Sequence, residues 1–178
     1  KILKNVYVIF LMLCFAPPLF AAIYKLGPVG DDLIGKVSST IVKQGDDFTK
    51  IGQRFDVGYI ELVDANPDVD PMKPEPGTVL IIPTRYILPN APREGIVINV
   101  AEMRLYYYPK DSAEVWSFPV GIGRQGSQTP DGYMTVFEHL DHPTWHSPES
   151  IRIERAKEGI EIPKVVPPGP DNPLGNYA

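Results

Sequence analysis

The sequence contains one cysteine, Cys14, among its 178 residues. A single thiol excludes a disulfide framework and a cysteine-based zinc site within the chain. Basic residues are also few, since 17 Lys and Arg stand against 22 Asp and Glu and leave a net charge of −5. An acidic chain lacks the basic face that nucleic-acid binding requires, so we expect no nucleic-acid partner.

Proline, by contrast, is abundant. The chain has 20 Pro and 15 Gly, and its proline content is about twice the usual ~5%. Proline at this frequency argues against a helical bundle and favours strands joined by shaped loops. Hydrophobic residues make up 43% and charged residues 22%, which is typical of a folded globular chain and argues against wholesale disorder.

The first residues predict export. Two lysines precede an apolar stretch over 6–20, and no acidic residue occurs before Asp31. This pattern is typical of a secretory signal peptide, assigned to residues 1–22 and cleaved at its last alanines, so that Cys14 leaves with it. The apolar stretch is shorter than the roughly 20 residues that a spanning helix needs. We therefore expect no stable membrane span after cleavage, and an uncleaved N-terminal anchor is the alternative.

Residues 38–84 predict a small domain that follows a lead-in segment at 23–37. Its first strand is expected at 39–42, and a buried strand is expected at 79–83. Two short helices are predicted between these strands, because apolar residues recur there at helical spacing. The predicted order is strand, helix, helix, strand.

The two helices are predicted in some detail. Apolar residues at i, i+3 and i+7 from Phe48 indicate the first helix, which ends before Gly58. In the second helix, Ile60 and Val63 are expected to face the core. Asn66 is expected to end it as a left-handed C-cap.

Several short motifs occur in this domain in a fixed order. They are Ile41-Val42, Gly45-Asp46, Ile51, Phe55, Ala65-Asn66-Pro67, Pro76-Gly77-Thr78 and Ile81-Ile82-Pro83. In this order they resemble the LysM domain. The resemblance implies a βααβ fold and an N-acetylglucosamine-containing glycan of peptidoglycan or chitin as the ligand, bound in a shallow groove between two loops. A LysM domain that only packs against its neighbour is the alternative.

The same resemblance assigns the glycan-binding residues. One loop follows the first strand, and the other precedes the last strand. The residues implied are Gly45, Asp46 and Asp47 on the first loop and Asn66 and Pro67, beside Asp68, on the second. Short polar side chains and backbone amides of this kind can hydrogen-bond the hydroxyl and acetamide groups of a sugar.

A proline-containing linker at 85–94 leads to a second block at 95–178. Its predicted strands lie at 96–100, 105–108, 115–122 and 133–138, the first two as a hairpin. Ser147 is expected to cap a short helix that begins at Pro148 and ends at Gly159. The block is therefore mostly β with one small helix.

Two further motifs could suggest a cofactor or a metal. Residues 121–126 spell G-x-G-x-x-G, but a turn rather than the required helix follows, so we interpret them as a loop. His139, His142 and His146 are close in sequence, but no carboxylate or thiol cluster completes a metal site with them. We expect neither a cofactor nor a metal.

Distinctive stretches of the second block include 95–108, 118–123, 129–132, 143–145 and 166–178. They resemble the N-terminal part of the L,D-transpeptidase catalytic domain, which has the YkuD-like fold. With the signal peptide and the LysM-like domain, the whole chain resembles the periplasmic ErfK/YbiS/YcfS/YnhG group of this family. The expected fold class is α+β, with a small βααβ domain followed by a mostly β, incomplete YkuD-like domain.

This resemblance implies acyl transfer in the periplasm of a Gram-negative bacterium. A cysteine thiolate takes the acyl group of a peptidoglycan stem tetrapeptide, and an amine then receives it. The amine comes from a second stem peptide, giving a 3–3 cross-link, or from the outer-membrane lipoprotein. The family's catalytic histidine and cysteine motifs correspond to positions beyond Ala178, so we interpret the chain as a fragment that is inactive by itself.

The resemblance also implies residues near the stem-peptide site. They are Tyr133, Trp145, Asn172 and Gly175. Core or hairpin packing is the alternative role for the two aromatic residues, and a rigid loop is the alternative for the other two. Two other functions stay open, namely a non-catalytic peptidoglycan-binding protein and a family member that hydrolyses the lipoprotein–peptidoglycan bond.

Overall fold

The computed structural model describes residues 22–178 except for 29, 125 and 127. The predicted signal peptide, apart from Ala22, and Cys14 lie outside the described residues. The chain divides into two units, Lys1–Thr129 and Pro130–Ala178. In the described part of the chain, none of the helices has the length and apolar character needed to cross a membrane.

The first unit is built from short strands and two helices. Its elements are β1 (Ala22–Lys25), β2 (Leu33–Gly35), β3 (Ser38–Ile41), α1 (Phe48–Phe55), α2 (Tyr59–Ala65), β4 (Val79–Ile82), β5 (Arg85–Ile87), β6 (Gly95–Asn99), β7 (Arg104–Tyr108) and β8 (Glu114–Pro119). Strands β3 and β4 pair antiparallel, so β3, α1, α2 and β4 form the βααβ domain that the sequence predicts.

The βααβ domain closes around one apolar core. Its buried side chains are Val42, Phe48, Ile51, Val57, Leu62, Leu80 and Ile82. Asp47 caps α1, because its carboxylate accepts a hydrogen bond from the Lys50 backbone N–H at 2.8 Å. Asp56 ends α1 in the left-handed conformation, with φ 53°. Both ends of α1 are therefore fixed by local hydrogen bonds or backbone geometry.

The expectation for α2 is right for Val63 and wrong for Ile60. Leu62 is fully buried and Val63 packs against the same core, whereas Ile60 is 47% exposed. The Glu61 carboxylate accepts a hydrogen bond from the Gly58 backbone N–H at 2.7 Å. This contact caps the start of the helix, and Leu62 rather than Ile60 faces the core.

Two further expectations for this domain are wrong. Asn66 has φ −138° and ψ 60°, so it is not a left-handed cap, because its side chain is bound to β4 instead. Strand β4 is not buried throughout, since Leu80 and Ile82 are buried while Val79 and Ile81 are exposed. Only the face toward the helices is covered, so the strand alternates.

The segments interpreted as a lead-in and a linker contain strands. Strand β1 pairs antiparallel with β8, and β2 pairs with β5. Ile34, Tyr86 and Leu88 are buried together with residues of the large sheet. The pairing partners lie about 50 to 95 residues apart in the sequence, which is why local periodicity did not reveal them.

The large sheet of the first unit has the strand order β1-β8-β7-β6. The predicted hairpin of β6 and β7 is present, with Gly95 opposite Tyr108 and Asn99 opposite Arg104. Strand β8 is shorter than expected and ends at Pro119. One face of this sheet buries Arg104, Tyr106, Tyr108, Val115 and Ser117.

The second unit contains β9 (Trp145–His146), α3 (Glu149–Lys157) and β10 (Val165–Val166). Strands β9 and β10 pair antiparallel. The strand predicted at 133–138 is wrong, because these residues form no regular element and Tyr133 is fully exposed. Alternation alone did not make a strand where the described residues supply no pairing partner.

The expected cap of the third helix is also wrong by one residue. Helix α3 begins at Glu149 after Pro148 at the N-cap, and no side chain caps it. The Ser147 hydroxyl instead donates a hydrogen bond to the Pro163 carbonyl at 2.6 Å. Because the hydroxyl is engaged there, it does not cap the helix.

We expect Leu62→Ala to lower the free energy of unfolding by about 2–5 kcal/mol, because it leaves a cavity in a fully buried core. The matched variant Ile60→Ala, on the exposed face of the same helix, should cost about 0.5 kcal/mol or less. Urea unfolding followed by circular dichroism measures both. Equal losses in the two variants would contradict the observed phase of α2.

Candidate glycan and peptide sites

The loop before α1 carries three of the residues assigned to glycan binding. The Asp46 carboxylate accepts hydrogen bonds from Arg54 Nη2 at 2.6 Å and Nη1 at 3.2 Å, and from the Lys43 backbone N–H at 3.0 Å. These hydrogen bonds, above all those from Arg54, hold the pKa of Asp46 below its ordinary value. Its side chain is only 7% exposed, so Asp46 mainly holds the loop against α1.

The other two residues of this loop are linked through one lysine. The Asp47 carboxylate accepts a hydrogen bond from the Lys50 backbone N–H, and this hydrogen bond lowers the pKa of the Asp47 carboxyl. The Lys50 ammonium lies 3.3 Å from Asp47 Oδ2 and donates to the Gly45 carbonyl at 2.7 Å. Gly45 has φ 80°, a left-handed conformation that glycine adopts without strain. The loop is therefore shaped before any ligand arrives.

The loop after α2 is tied to β4 by Asn66. The Asn66 amide donates to the Leu62 and Ile81 carbonyls, both at 2.9 Å, and its oxygen accepts from the Ile81 backbone N–H at 2.8 Å. Asn66 is buried, so this amide is committed to the fold. Pro67 and Asp68, next in the chain, are exposed.

The two loops approach one another at the start of α1. The Phe48 backbone N–H donates to the Pro71 carbonyl at 2.9 Å. The structure therefore brings the residues of the first loop close to the loop that begins at Asn66. With Asp46 and Asn66 engaged internally, the groups left to face a ligand are backbone amides and carbonyls together with exposed residues such as Pro67.

The residues assigned to the stem peptide lie in the second unit. Trp145 in β9 pairs with Val166 in β10 and lines a cavity of about 570 Å³ together with Pro167 and Pro173. Tyr133 is fully exposed in a segment without regular secondary structure. A tryptophan on a proline-lined cavity offers an apolar surface for a ligand. Tyr133 does not line this cavity.

Asn172 and Gly175 shape the loop that follows β10. Asn172 is buried, and its amide donates to the Pro143 carbonyl at 2.8 Å and the Pro167 carbonyl at 3.2 Å. Its oxygen accepts from the Leu174 backbone N–H at 2.9 Å. Gly175 has φ 69° and donates its N–H to the Asn172 carbonyl at 3.0 Å. Both residues fix the backbone of this loop.

Two of the three histidines contact an acidic or an aromatic side chain. The His142 ring nitrogen lies 2.9 Å from Asp141 Oδ1, and the His139 ring stacks on Tyr177 with 5.5 Å between centroids. Across the described residues, no group of three or more His, Cys, Asp or Glu side chains is placed to hold a metal ion.

Sequence reasoning missed a buried cation on the large sheet. Arg104, which precedes the strand predicted at 105–108, is the first residue of β7 and is fully buried. Its guanidinium donates to Glu61 Oε1 at 3.0 Å and Oε2 at 2.7 Å, and to Ser117 Oγ at 2.9 Å. It also lies 3.9 Å from the centre of the Tyr86 ring. The alternation of Arg104 with Tyr106 and Tyr108 was the available signal that this arginine points inward.

Burial by itself lowers the pKa of Arg104, but the hydrogen bonds and charge of Glu61 outweigh this effect and the pKa is raised overall. For the Tyr86 phenol, burial has the opposite effect and raises the pKa. At neutral pH the cluster therefore contains a charged guanidinium over a neutral phenol ring.

Comparison with protein families now assigns both domains. The family model of the LysM domain matches residues 40–83, and that of the L,D-transpeptidase catalytic domain, YkuD, matches residues 93–177. Residues 93–177 therefore belong to the family of L,D-transpeptidase catalytic domains. The predicted LysM-like and YkuD-like domains are thereby confirmed.

Curated relatives are similar along most of the chain. The probable L,D-transpeptidase YcfS of Escherichia coli K12 is 44% identical over 92% of this chain and 52% of its own length. The probable L,D-transpeptidase ErfK/SrfK of Salmonella typhimurium LT2 is 43% identical over 87% and 51%. The probable L,D-transpeptidase YbiS of E. coli K12 is 40% identical over 95% and 56%. The chain thus spans about half the length of the curated relatives it matches.

We expect Asn66→Ala to destabilise the LysM domain by about 1–3 kcal/mol, because it leaves the Ile81 N–H and two carbonyls without their partner. The control Asp68→Ala, at an exposed position of the same loop, should change the free energy of unfolding by about 0.5 kcal/mol or less. Urea unfolding measures both variants. An Asn66→Ala variant of wild-type stability would show that the amide is free for another role.

The Asp46–Arg54 pair should make stability depend on acid. Because the folded-state pKa of Asp46 is lowered, its contribution is present above the ordinary carboxyl pKa of about 4 and is lost as pH falls below it. Thermal unfolding between about pH 2 and pH 7 should therefore show a shallower acid decline for Asp46→Asn than for the wild type. Asp68→Asn serves as the control. Parallel profiles for Asp46→Asn and the wild type would count against this pair.

Proposed function

We propose that this protein acts as a peptidoglycan L,D-transpeptidase in the periplasm of a Gram-negative bacterium. The observation that carries the proposal is the occurrence, in one chain, of a LysM domain at 40–83 and the L,D-transpeptidase catalytic domain at 93–177. The relatives at 40–44% identity are named probable L,D-transpeptidases. The predicted signal peptide at 1–22 is consistent with export.

The proposed reaction proceeds through a covalent intermediate. A cysteine thiolate, with a histidine as its base, attacks the carbonyl of the third residue in a stem tetrapeptide. The bond to the terminal D-Ala breaks, D-Ala leaves with a proton, and a thioester forms. The amine of an acceptor then attacks the thioester, forms the new amide and releases the thiolate. We place the catalytic histidine and cysteine beyond Ala178, as the resemblance implies.

The LysM domain supplies binding to the wall in this proposal. Its two loops meet at Phe48 and Pro71 and present backbone groups shaped by Gly45 and Asn66. Such groups suit the acetamides and hydroxyls of a glycan strand. Holding the strand raises the effective concentration of its stem peptides at the catalytic domain, which increases turnover without any further contact.

In the second unit, Trp145 with Pro167 and Pro173 forms the apolar wall of a cavity. We propose that this wall contacts the donor stem peptide. The buried amide of Asn172 and the positive φ of Gly175 hold the adjacent loop in place. The acceptor is a second stem peptide or the outer-membrane lipoprotein, since both offer an amine.

The test uses the full-length protein with a purified disaccharide tetrapeptide, and mass spectrometry identifies the products. We expect release of D-Ala and a 3–3 cross-linked dimer, both abolished when the catalytic cysteine is replaced by alanine. Release of free tripeptide without a cross-linked product, even when a peptide that carries the lipoprotein's acceptor amine is added, would indicate hydrolysis. Glycan binding without any product would indicate a binding protein. Either result would contradict the proposal.

A carbapenem tests where the catalytic cysteine lies. We expect the full-length protein to gain the mass of one carbapenem, because the catalytic thiolate attacks the β-lactam carbonyl. Residues 22–178 alone should gain none, since they contain no cysteine. Intact-mass spectrometry measures both, and an adduct on residues 22–178 would contradict the assignment of the nucleophile.

A further inference from the structure

The LysM domain and the catalytic-domain sheet meet at one buried ion pair. Arg104 belongs to β7 of the sheet, and Glu61 belongs to α2 of the LysM domain. The Arg104 side chain is fully buried, while that of Glu61 is 20% exposed. The two domains are therefore joined by a charged contact from which water is largely excluded.

The geometry of this contact fixes orientation as well as distance. Arg104 Nε and Nη2 donate to the two separate oxygens of Glu61 at 3.0 and 2.7 Å. Two parallel hydrogen bonds between a planar guanidinium and a planar carboxylate hold both planes in register. Arg104 Nη2 also lies 3.3 Å from the Asp56 carbonyl at the end of α1, so both LysM helices contact the same cation.

The other sides of the guanidinium are occupied by the sheet and by β5. Ser117 in β8 accepts from Nη1 at 2.9 Å, and the Tyr86 ring lies 3.9 Å from the guanidinium carbon. If the LysM domain moved away, Arg104 would lose its counter-charge while still surrounded by these groups. A buried charge without its partner is strongly unfavourable. Small rotations of the LysM domain are therefore opposed by the same contact.

A small cavity of about 200 Å³ lies beside the pair, lined by residues of α2, by Glu102 and Met103 of the β6–β7 turn, and by Pro119 of β8. Tyr59 and Ile60 border it and are partly exposed. The apolar contact between the domains is thus incomplete here. The ion pair, rather than a continuous apolar interface, defines how α2 sits on the sheet.

We propose that Arg104 and Glu61 are positioning residues that hold the LysM domain at one orientation on the catalytic domain, so that a bound glycan strand presents its stem peptides in a fixed direction. This inference rests on the proposed function. Its consequence is a difference between substrates. Stem peptides attached to a glycan strand depend on the pair, whereas free stem peptides do not.

The test compares Glu61→Gln with Asp64→Asn in the full-length protein. Glu61→Gln removes the charge but keeps an oxygen that can accept the Gly58 N–H, so the start of α2 stays capped. Asp64→Asn removes a charge from the exposed face of the same helix and is the matched control. Cross-linking is measured on purified sacculi and on free tetrapeptide, and ¹⁵N relaxation gives the rotational correlation time of each domain.

We expect Glu61→Gln to reduce cross-linking of sacculi about five- to tenfold, because the LysM domain stays covalently linked and only part of the roughly 10²- to 10⁴-fold gain from linkage is lost. Its rate on free tetrapeptide should stay within about twofold of the wild type. The LysM domain and the sheet should share one correlation time in the wild type and in Asp64→Asn. In Glu61→Gln, the LysM domain should have a shorter one.

Equal losses on both substrates, or a single shared correlation time in Glu61→Gln, would overturn the inference. Glu61→Ala removes the carboxylate altogether and should show a larger difference between sacculi and free tetrapeptide. It decides the case if the effect of Glu61→Gln is small. A wild-type protein without activity on free tetrapeptide would instead overturn the proposed function. The relaxation measurement would still decide whether the pair fixes the orientation.

Discussion

The first unit is organised around the buried charge of Arg104. Its guanidinium donates hydrogen bonds to a carboxylate of α2, a hydroxyl of β8 and a carbonyl at the end of α1. It also lies over an aromatic ring of β5. A cation out of water requires all of this compensation, and replacing any one partner leaves the others around an underpaired charge. Three separate parts of the chain, namely α1 with α2, β5, and β7 with β8, thereby meet at one point.

The sequence predicted local structure well where one segment contains its own determinants. The βααβ order, both helices of the LysM domain and the β6–β7 hairpin follow from apolar spacing and turn residues. Errors occurred where a distant residue decides. Glu61 of α2 is bound by Arg104, 43 residues away, and strands β1, β2 and β5 pair with partners about 50 to 95 residues away.

The candidate sites show a similar division. The resemblance to LysM drew attention to Asp46 and Asn66, but the type of residue could not reveal that their polar atoms are already engaged by Arg54 and Ile81. Arg104 was overlooked because an arginine next to a turn is usually solvated. Its alternation with Tyr106 and Tyr108 was the signal available in the sequence, and the structure shows that both tyrosines are buried.

The pairing of β1 with β8 has a topological consequence. The chain begins its described part in the sheet at Ala22, leaves it to build the LysM domain, and returns at β6. The LysM domain is therefore inserted between strands of the sheet and has two covalent connections to it, rather than one. A cut in the proline-containing stretch around Pro89 would leave the domain attached through β1, and a hinge motion would have to bend both connections at once.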